Sequence, residues 1–285
     1  MKKILIIIYV NLLSAVGLGG SSLEVDASSF AYNGSGIATN NNISINPASI
    51  LSNTNNKLTF SYNKWFDKVK GNMLRHEFDN KYISLNSYEL DDIDLWGDTP
   101  DIKPMGSFGT HFVSLAYGHG LMVNNIRLGI QFSGVHSRLY KEKTTALLFS
   151  VGLKYDLLKN IKIGSTVKNF GYINSNLEKN KIPFSYGLGF AYNIDYLKSQ
   201  VMFDYINNDL YGESFKVALN SQISFLKFIF AISSNQHKAL SFDRKIFISG
   251  GFEFKYRNLA FTYGIIQQED ESLGLPQAFQ ITWHY

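Results

Sequence analysis

The sequence predicts an all-β chain, a transmembrane antiparallel up-and-down β-barrel of about fourteen strands behind a short N-terminal segment. Three observations carry this expectation. Apolar residues recur at every second position over runs of about ten to twelve residues. The gaps between those runs alternate long and short. Beyond residue 22, no apolar run approaches the ~20 residues that a helix needs to cross a bilayer.

Taken in order, Met1, Lys2 and Lys3 form a basic start, residues 4–13 an apolar stretch and residues 14–22 a small-residue stretch. That is the build of an export signal over residues 1–22, because the apolar part is too short for a membrane anchor. Residues 23–56 do not alternate. Polar and small residues crowd there, including Asn40, Asn41, Asn42 and the run Asn46-Pro47-Ala48-Ser49. One reading of this segment is a disordered tail.

The barrel is expected over residues 57–285. Leu58, Phe60 and Tyr62 open the first strand. Residues 69–78, ahead of the turn-like Asp79-Asn80, make a weakly patterned second strand, which an even count requires if both termini lie on one side. Further strands follow at residues 82–88, at Val113, Leu115 and Tyr117, and at Ile126, Leu128, Ile130 and Phe132. Clear alternation continues through Leu147 to Tyr155, Phe184 to Ile194, Ile246 to Tyr256, Leu259 to Ile265 and Phe279 to Tyr285.

Read backwards from Tyr285, the gaps at 267–274, 235–244, 207–213, 172–182 and 136–143 are long. Those at 257–258, 224–227, 196–199, 158–160 and 124–125 are short. Short periplasmic turns and longer extracellular loops produce this rhythm, and it places the C-terminus in the periplasm.

The two faces of the strands differ in chemistry. Phe184, Tyr186, Leu188, Phe190, Tyr192, Phe252, Phe254, Phe279, Ile281 and Trp283 are expected to face lipid. The opposite parity is mostly Gly, Ser, Ala and Thr, with Lys154, Lys162, Lys168, Asp204, Lys216, Glu253 and Lys255, and is expected to face the lumen. Trp65, Tyr117, Tyr155, Tyr192, Tyr256, Trp283 and Tyr285 suit interfacial girdles. The acidic stretch with Asp91, Asp92, Asp94 and Trp96 reads as an extracellular loop open to a partner or an ion. Lys103, where a twelve-residue calcium loop needs a carboxylate, argues for a solvated loop instead.

Composition removes other classes. With no Cys there is no disulfide framework, thiolate zinc site or thiol nucleophile. The net charge of +4 is spread along the chain and gives no nucleic-acid footprint. No Gly-x-Ser-x-Gly elbow occurs, His76-Glu77 lacks the second His of a zinc-protease helix, and neighbouring His136 and Ser137 on a strand point apart. No enzyme and no cofactor are expected.

Gly34, Gly36 and Ala38 followed by Asn46-Pro47-Ala48 resemble the N-terminal hatch of FadL-like outer-membrane barrels, which folds inside the barrel. The block from Ile161 to Gly171, ending Asn169-Phe170-Gly171, looks like a recurring strand of the PorV/PorQ branch. So do the run from Gly129 through Ser133, Ser137 and Tyr140 to Gly152-Leu153-Lys154-Tyr155, and the closing stretch with Leu273-Gly274. The resemblance implies an outer-membrane component of type IX secretion that handles or anchors cargo, with translocon subunits and secreted proteins as partners. Outer-membrane lipid and lipopolysaccharide would surround it, and the terminal Tyr285 resembles the signature read by the barrel-assembly machinery. The alternative is a FadL-like passive channel for hydrophobic small molecules. The polar lumen parity weighs against a greasy conduit, which Phe30, Ile37 and Ile45 of the hatch would have to supply.

Overall fold

The protein is seen in a computed structural model that describes residues 18–40, 42–52, 56–65, 68–95, 104–140, 142–175, 181–210, 212–236, 244–267 and 274–285. The export-signal expectation for residues 1–17, and Trp96, lie outside them.

Fourteen antiparallel strands close on themselves. They are β1 (Lys57–Trp65), β2 (Val69–Phe78), β3 (Lys81–Leu95), β4 (Gly106–Val123), β5 (Ile126–Leu139), β6 (Glu142–Leu158) and β7 (Ile161–Ser175). The other half comprises β8 (Ser185–Ile194), β9 (Ser199–Asn208), β10 (Gly212–Ile223), β11 (Leu226–Gln236), β12 (Arg244–Tyr256), β13 (Leu259–Gln267) and β14 (Gln277–His284). The weakly patterned second strand is present, and β1 pairs with β14 through Phe60↔Ile281 and Tyr62↔Phe279. Closure leaves no unpaired strand edge at that seam, which is what a sheet needs in lipid. Among the described residues no helix is long and apolar enough to cross a membrane.

Tight turns sit where the sequence offers residues tolerant of positive φ. Asp79 and Asn80 have φ of 43° and 61°, and Asn124 has 54°. Such backbone matches the twist of a two-residue hairpin.

Two expectations about length are corrected. Strands β3 to β7 run 14 to 18 residues, longer than the ten to twelve expected. Residues 136–143 are correspondingly not a long loop, because β5 and β6 stay paired up to Leu139↔Glu142. Polar Ser137, Arg138 and Lys143 within this stretch look like loop residues in sequence, yet period-two pairing continues through them. The acidic stretch changes for the same reason. Asp91, Asp92 and Asp94 lie on β3, next to a bulge in the β3–β4 ladder between Leu90 and Ile93. The bulge breaks the alternation that would have marked the strand.

A second irregularity separates β7 from β8. In the β6–β7 ladder the register shifts between Phe149 and Val151, where Asn169 takes φ 61° and its N–H donates to Ser150 Oγ at 3.1 Å. The β7–β8 ladder runs from Ile161↔Tyr192 to Lys168↔Ser185 and stops, while β7 continues to Ser175 on β6 alone.

Residues 23–40 and 42–52 of the N-terminal segment lie inside the barrel. Helix α1 (Ala27–Ala31) is capped by Asp26, whose Oδ1 accepts from Ser29 N at 2.8 Å, and it packs on β12, β13 and β14. A 3-10 turn (Pro47–Ser52) rests on β4, β5 and β6. Phe30, Ile37, Ala48 and Ile50 are almost wholly buried.

Candidate functional site

The buried segment is held by shape on two sides of the lumen. Three pairs of inward glycines meet across neighbouring strands: Gly129↔Gly152, Gly164↔Gly189 and Gly251↔Gly264. A Cβ added at Gly129 or Gly152 would overlap the backbone of Pro47-Ala48 or the side chain of Asn46. One at Gly164 would stand 2.6 Å from Ile37 O, and one at Gly264 2.6 Å from Ala31 N. The missing side chains are dents into which the segment presses its own backbone.

Polar contacts then fix its position. Asn46 Nδ2 donates to Ile37 O at 2.8 Å and to Leu153 O and Ser165 O at 3.3 Å, while its Oδ1 accepts from Ala48 N at 3.0 Å. The expected motif of Asn46, Pro47 and Ala48 is thus the turn that seats the segment on β5 to β7. Lys154, almost fully buried, donates to Thr39 O at 2.7 Å and Asn40 Oδ1 at 2.8 Å. Asp204 accepts from the N–H of both Gly36 and Ile37. Across the lumen, Asp26 accepts from Asn42 Nδ2 at 2.8 Å and Ser44 Oγ at 2.9 Å and pairs with Arg75 at 3.5 Å. Arg75 also meets Glu77 at 3.2 Å. Buried charges need such partners to offset lost hydration.

Above this plug lies a cavity of about 360 Å³. It opens among strand ends at the long-loop side, where Ser185, Asn208, Gly212, Asn235 and Lys245 stand. Its apolar wall includes Ile37, Ile45, Trp65, Ile206, Phe247 and Ile266, and its charged rim includes Glu24, Lys168 and Lys216. Lys168 donates to Ser44 O at 2.9 Å and Lys216 to Asn33 O at 2.7 Å. Burial pushes the Glu24 carboxyl above its ordinary range, against the opposing pull of the Lys216 and Lys168 ammoniums. The volume falls within the usual range of small-molecule pockets, and an apolar cavity of about 150 Å³ already holds benzene in an unrelated protein.

Of the hatch residues that were to supply greasy surface, Ile37 and Ile45 line the cavity, while Phe30 lies beneath Trp65 with ring centroids 4.8 Å apart. Trp65 itself corrects the girdle expectation. It follows Leu58, Phe60, Tyr62 and Lys64 at odd parity, so it points inward and is buried. Counting parity along β1 finds it. The glycine pairs were missed because their partners are named only by strand register.

Tyr186, Leu188, Phe190, Tyr192, Phe252, Phe279 and Trp283 are exposed on the outer wall, while Phe254, Ile281 and Phe184 are half-exposed, Phe184 one residue ahead of β8. Lys154 and Asp204 are buried in the lumen, and Lys162, Lys168, Lys216 and Glu253 are partly buried. Asp91 and Asp94 are exposed on β3. Among the described residues no three His, Asp or Glu side chains group to hold a metal.

No family model matches the sequence, and no curated protein matches it. Solved structures match over almost the whole chain. The TbuX toluene transporter of Ralstonia pickettii superposes with a TM-score of 0.67 at 8% identity, covering 91% of this chain and 98% of its own. The CymD monoaromatic hydrocarbon channel gives 0.65 at 11% identity, covering 92% and 97%. The Pseudomonas putida toluene transporter TodX gives 0.62 at 13% identity, covering 91% and 96%.

The chain shares the barrel fold of these proteins. At these identities the likeness is one of fold.

Proposed function

We propose that this FadL-like barrel is an outer-membrane passive channel for small apolar molecules, with the mouth cavity as its entry site. The single observation that carries this reading is the cavity: Trp65, Ile206, Phe247 and Ile266 of the wall converge there on Ile37 and Ile45 of the plug. The exposed Phe, Tyr, Leu and Ile of the outer wall supply the lipid-facing belt that an outer-membrane location requires.

The plug decides the route. Anchored on glycine dents and buried charges, it obstructs straight axial passage beneath the cavity. Sideways, Thr166, Lys168 and Ser185 of the cavity wall stand where the β7–β8 ladder ends. Above that point the wall between β7 and β8 lacks backbone ladder bonds among the described residues, Asn169 Nδ2 donating to Pro183 O at 3.1 Å, and Phe170 and Tyr172 flank it on the lipid side. An apolar solute can leave there into the bilayer without crossing a polar lumen.

The hydrocarbon channels and toluene transporters of the same fold support this reading. The secretion role implied by the PorV/PorQ resemblance draws no support from them. Filling the cavity tests the proposal. Ile206→Trp and Ile266→Trp should each reduce toluene uptake by cells that depend on this protein, with heat-modifiability on gels showing an intact barrel. Unchanged uptake in both folded variants contradicts it.

A further inference from the structure

The plug does not fill the lumen evenly. Its glycine contacts lie on β5 to β8 and on β12 and β13, with Gly120 at the short-turn end of β4 meeting Ile50 and Leu51. Against β2 to β5 the wall instead carries Ser84, Asn86, Ser114, Gln131 and Ser133, and a narrow cavity of about 70 Å³ runs between them and the plug. By that measure the space admits several waters.

One wall of this cavity is a polar strip, faced by apolar residues that include Leu23, Val25, Ile43 and Phe112. Ser84 Oγ donates to Asn86 Oδ1 at 3.0 Å, Asn86 Nδ2 to Ser114 Oγ at 3.1 Å and Gln131 Nε2 to Ser133 Oγ at 2.7 Å. Hydroxyls and amides of this kind replace hydration at both ends of a hydrogen bond. The charged groups on the lining are Arg75, which is already paired with Asp26 and Glu77, and Lys168. At the short-turn end Tyr82 lies across the path. Its ring packs with Ile43, Ile50 and Leu51, and its hydroxyl donates to Gln131 Oε1 at 2.5 Å. At the other end the 3-10 turn Leu18–Ser22 stands over Phe112, within the stretch that the sequence reads as an export signal.

We propose that this strip is a second passage, which carries water and small inorganic anions past the plug, with Tyr82 as its constriction. The two cavities share Leu23, Ser44 and Lys168, but Tyr82 lines the narrow path and not the mouth cavity, so the constriction can be tested apart from the apolar route. Selection follows from the lining: hydroxyls and amides for water, Lys168 for negative charge, and a bore too small for organic solutes.

Planar bilayer recordings of the barrel purified from native membranes, in a potassium chloride gradient, provide the test. The native protein should show a small conductance with a reversal potential on the chloride side. Tyr82→Ala should raise the conductance several-fold, and Ser114→Phe, which narrows the strip without touching the constriction, should lower it. Toluene uptake should stay unchanged in both, which separates this proposal from the channel reading. Equal conductance in the native protein and folded Tyr82→Ala, or a preference for potassium, overturns it.

Discussion

Asn46 of the plug occupies the space that a side chain at Gly152 of the barrel wall would need. The amide that fills this dent also donates to Leu153 O and Ser165 O, so one residue provides both shape and bonding across β6 and β7. The barrel is therefore built around its plug, with wall and segment specifying each other. Gly152→Val should push the turn at residues 46–48 off the wall at a cost of about 1–3 kcal/mol. Faster proteolysis within residues 23–52 in detergent, with the barrel itself still resistant, is the expected readout.

Arg75 holds the opposite side. It is nearly fully buried and touches Asp26 of the plug and Glu77 of its own strand. Arg75→Met takes the cation from buried Asp26 and leaves Glu77 with Lys57 at 4.0 Å, and losses of about 3–5 kcal/mol accompany a broken buried network. Asp26 also caps α1, so the plug should unravel from its first helix. Hydrogen exchange of the Ser29 amide should rise sharply in Arg75→Met and stay low in Ser249→Ala, which removes a single bond to Ala31 O.

Much of this architecture is legible in sequence because strand periodicity is dictated by the two faces of a barrel wall. Phe190 and Gly189 announce their faces by chemistry alone, and the even count recovers β2 although its pattern is weak. What stays hidden depends on register. Gly152 reads as a small lumen residue until Gly129 is seen beside it and Asn46 above it. Asp91 reads as loop because a bulge interrupts the alternation, and Trp65 reads as girdle until its parity along β1 is counted. The mouth cavity combines residues from the plug and from separate strands, and no spacing in the chain brings them together.

The outward and inward faces should respond differently to charge. Phe190→Asp places a carboxylate on the exposed outer wall, whereas Ser133→Asp places one on the polar strip of the lumen. Charge on a lipid-exposed strand position costs up to a few kcal/mol near the midplane, while lumen positions tolerate it. Assembly in native membranes, read by heat-modifiability, should fall strongly for Phe190→Asp and little for Ser133→Asp. Gly189→Ser is not a neutral control, because its Cβ would stand 2.7 Å from that of Ile37.

Trp65 offers a direct view of cavity occupation. Its ring lies on Phe30 of the plug and lines the mouth cavity, whereas Trp283 is exposed on the outer wall. An apolar solute that enters the cavity displaces water from one indole face and leaves the lipid-side indole unchanged. Toluene titration of the detergent-solubilised protein should therefore shift the tryptophan emission to shorter wavelength and saturate. Trp65→Phe preserves an aromatic ring against Phe30, so the cavity keeps its floor while the signal disappears. A saturable shift that persists in Trp65→Phe would place the solute away from the mouth. A shift that grows linearly without saturating in the native protein would mean partition into detergent rather than binding at Trp65.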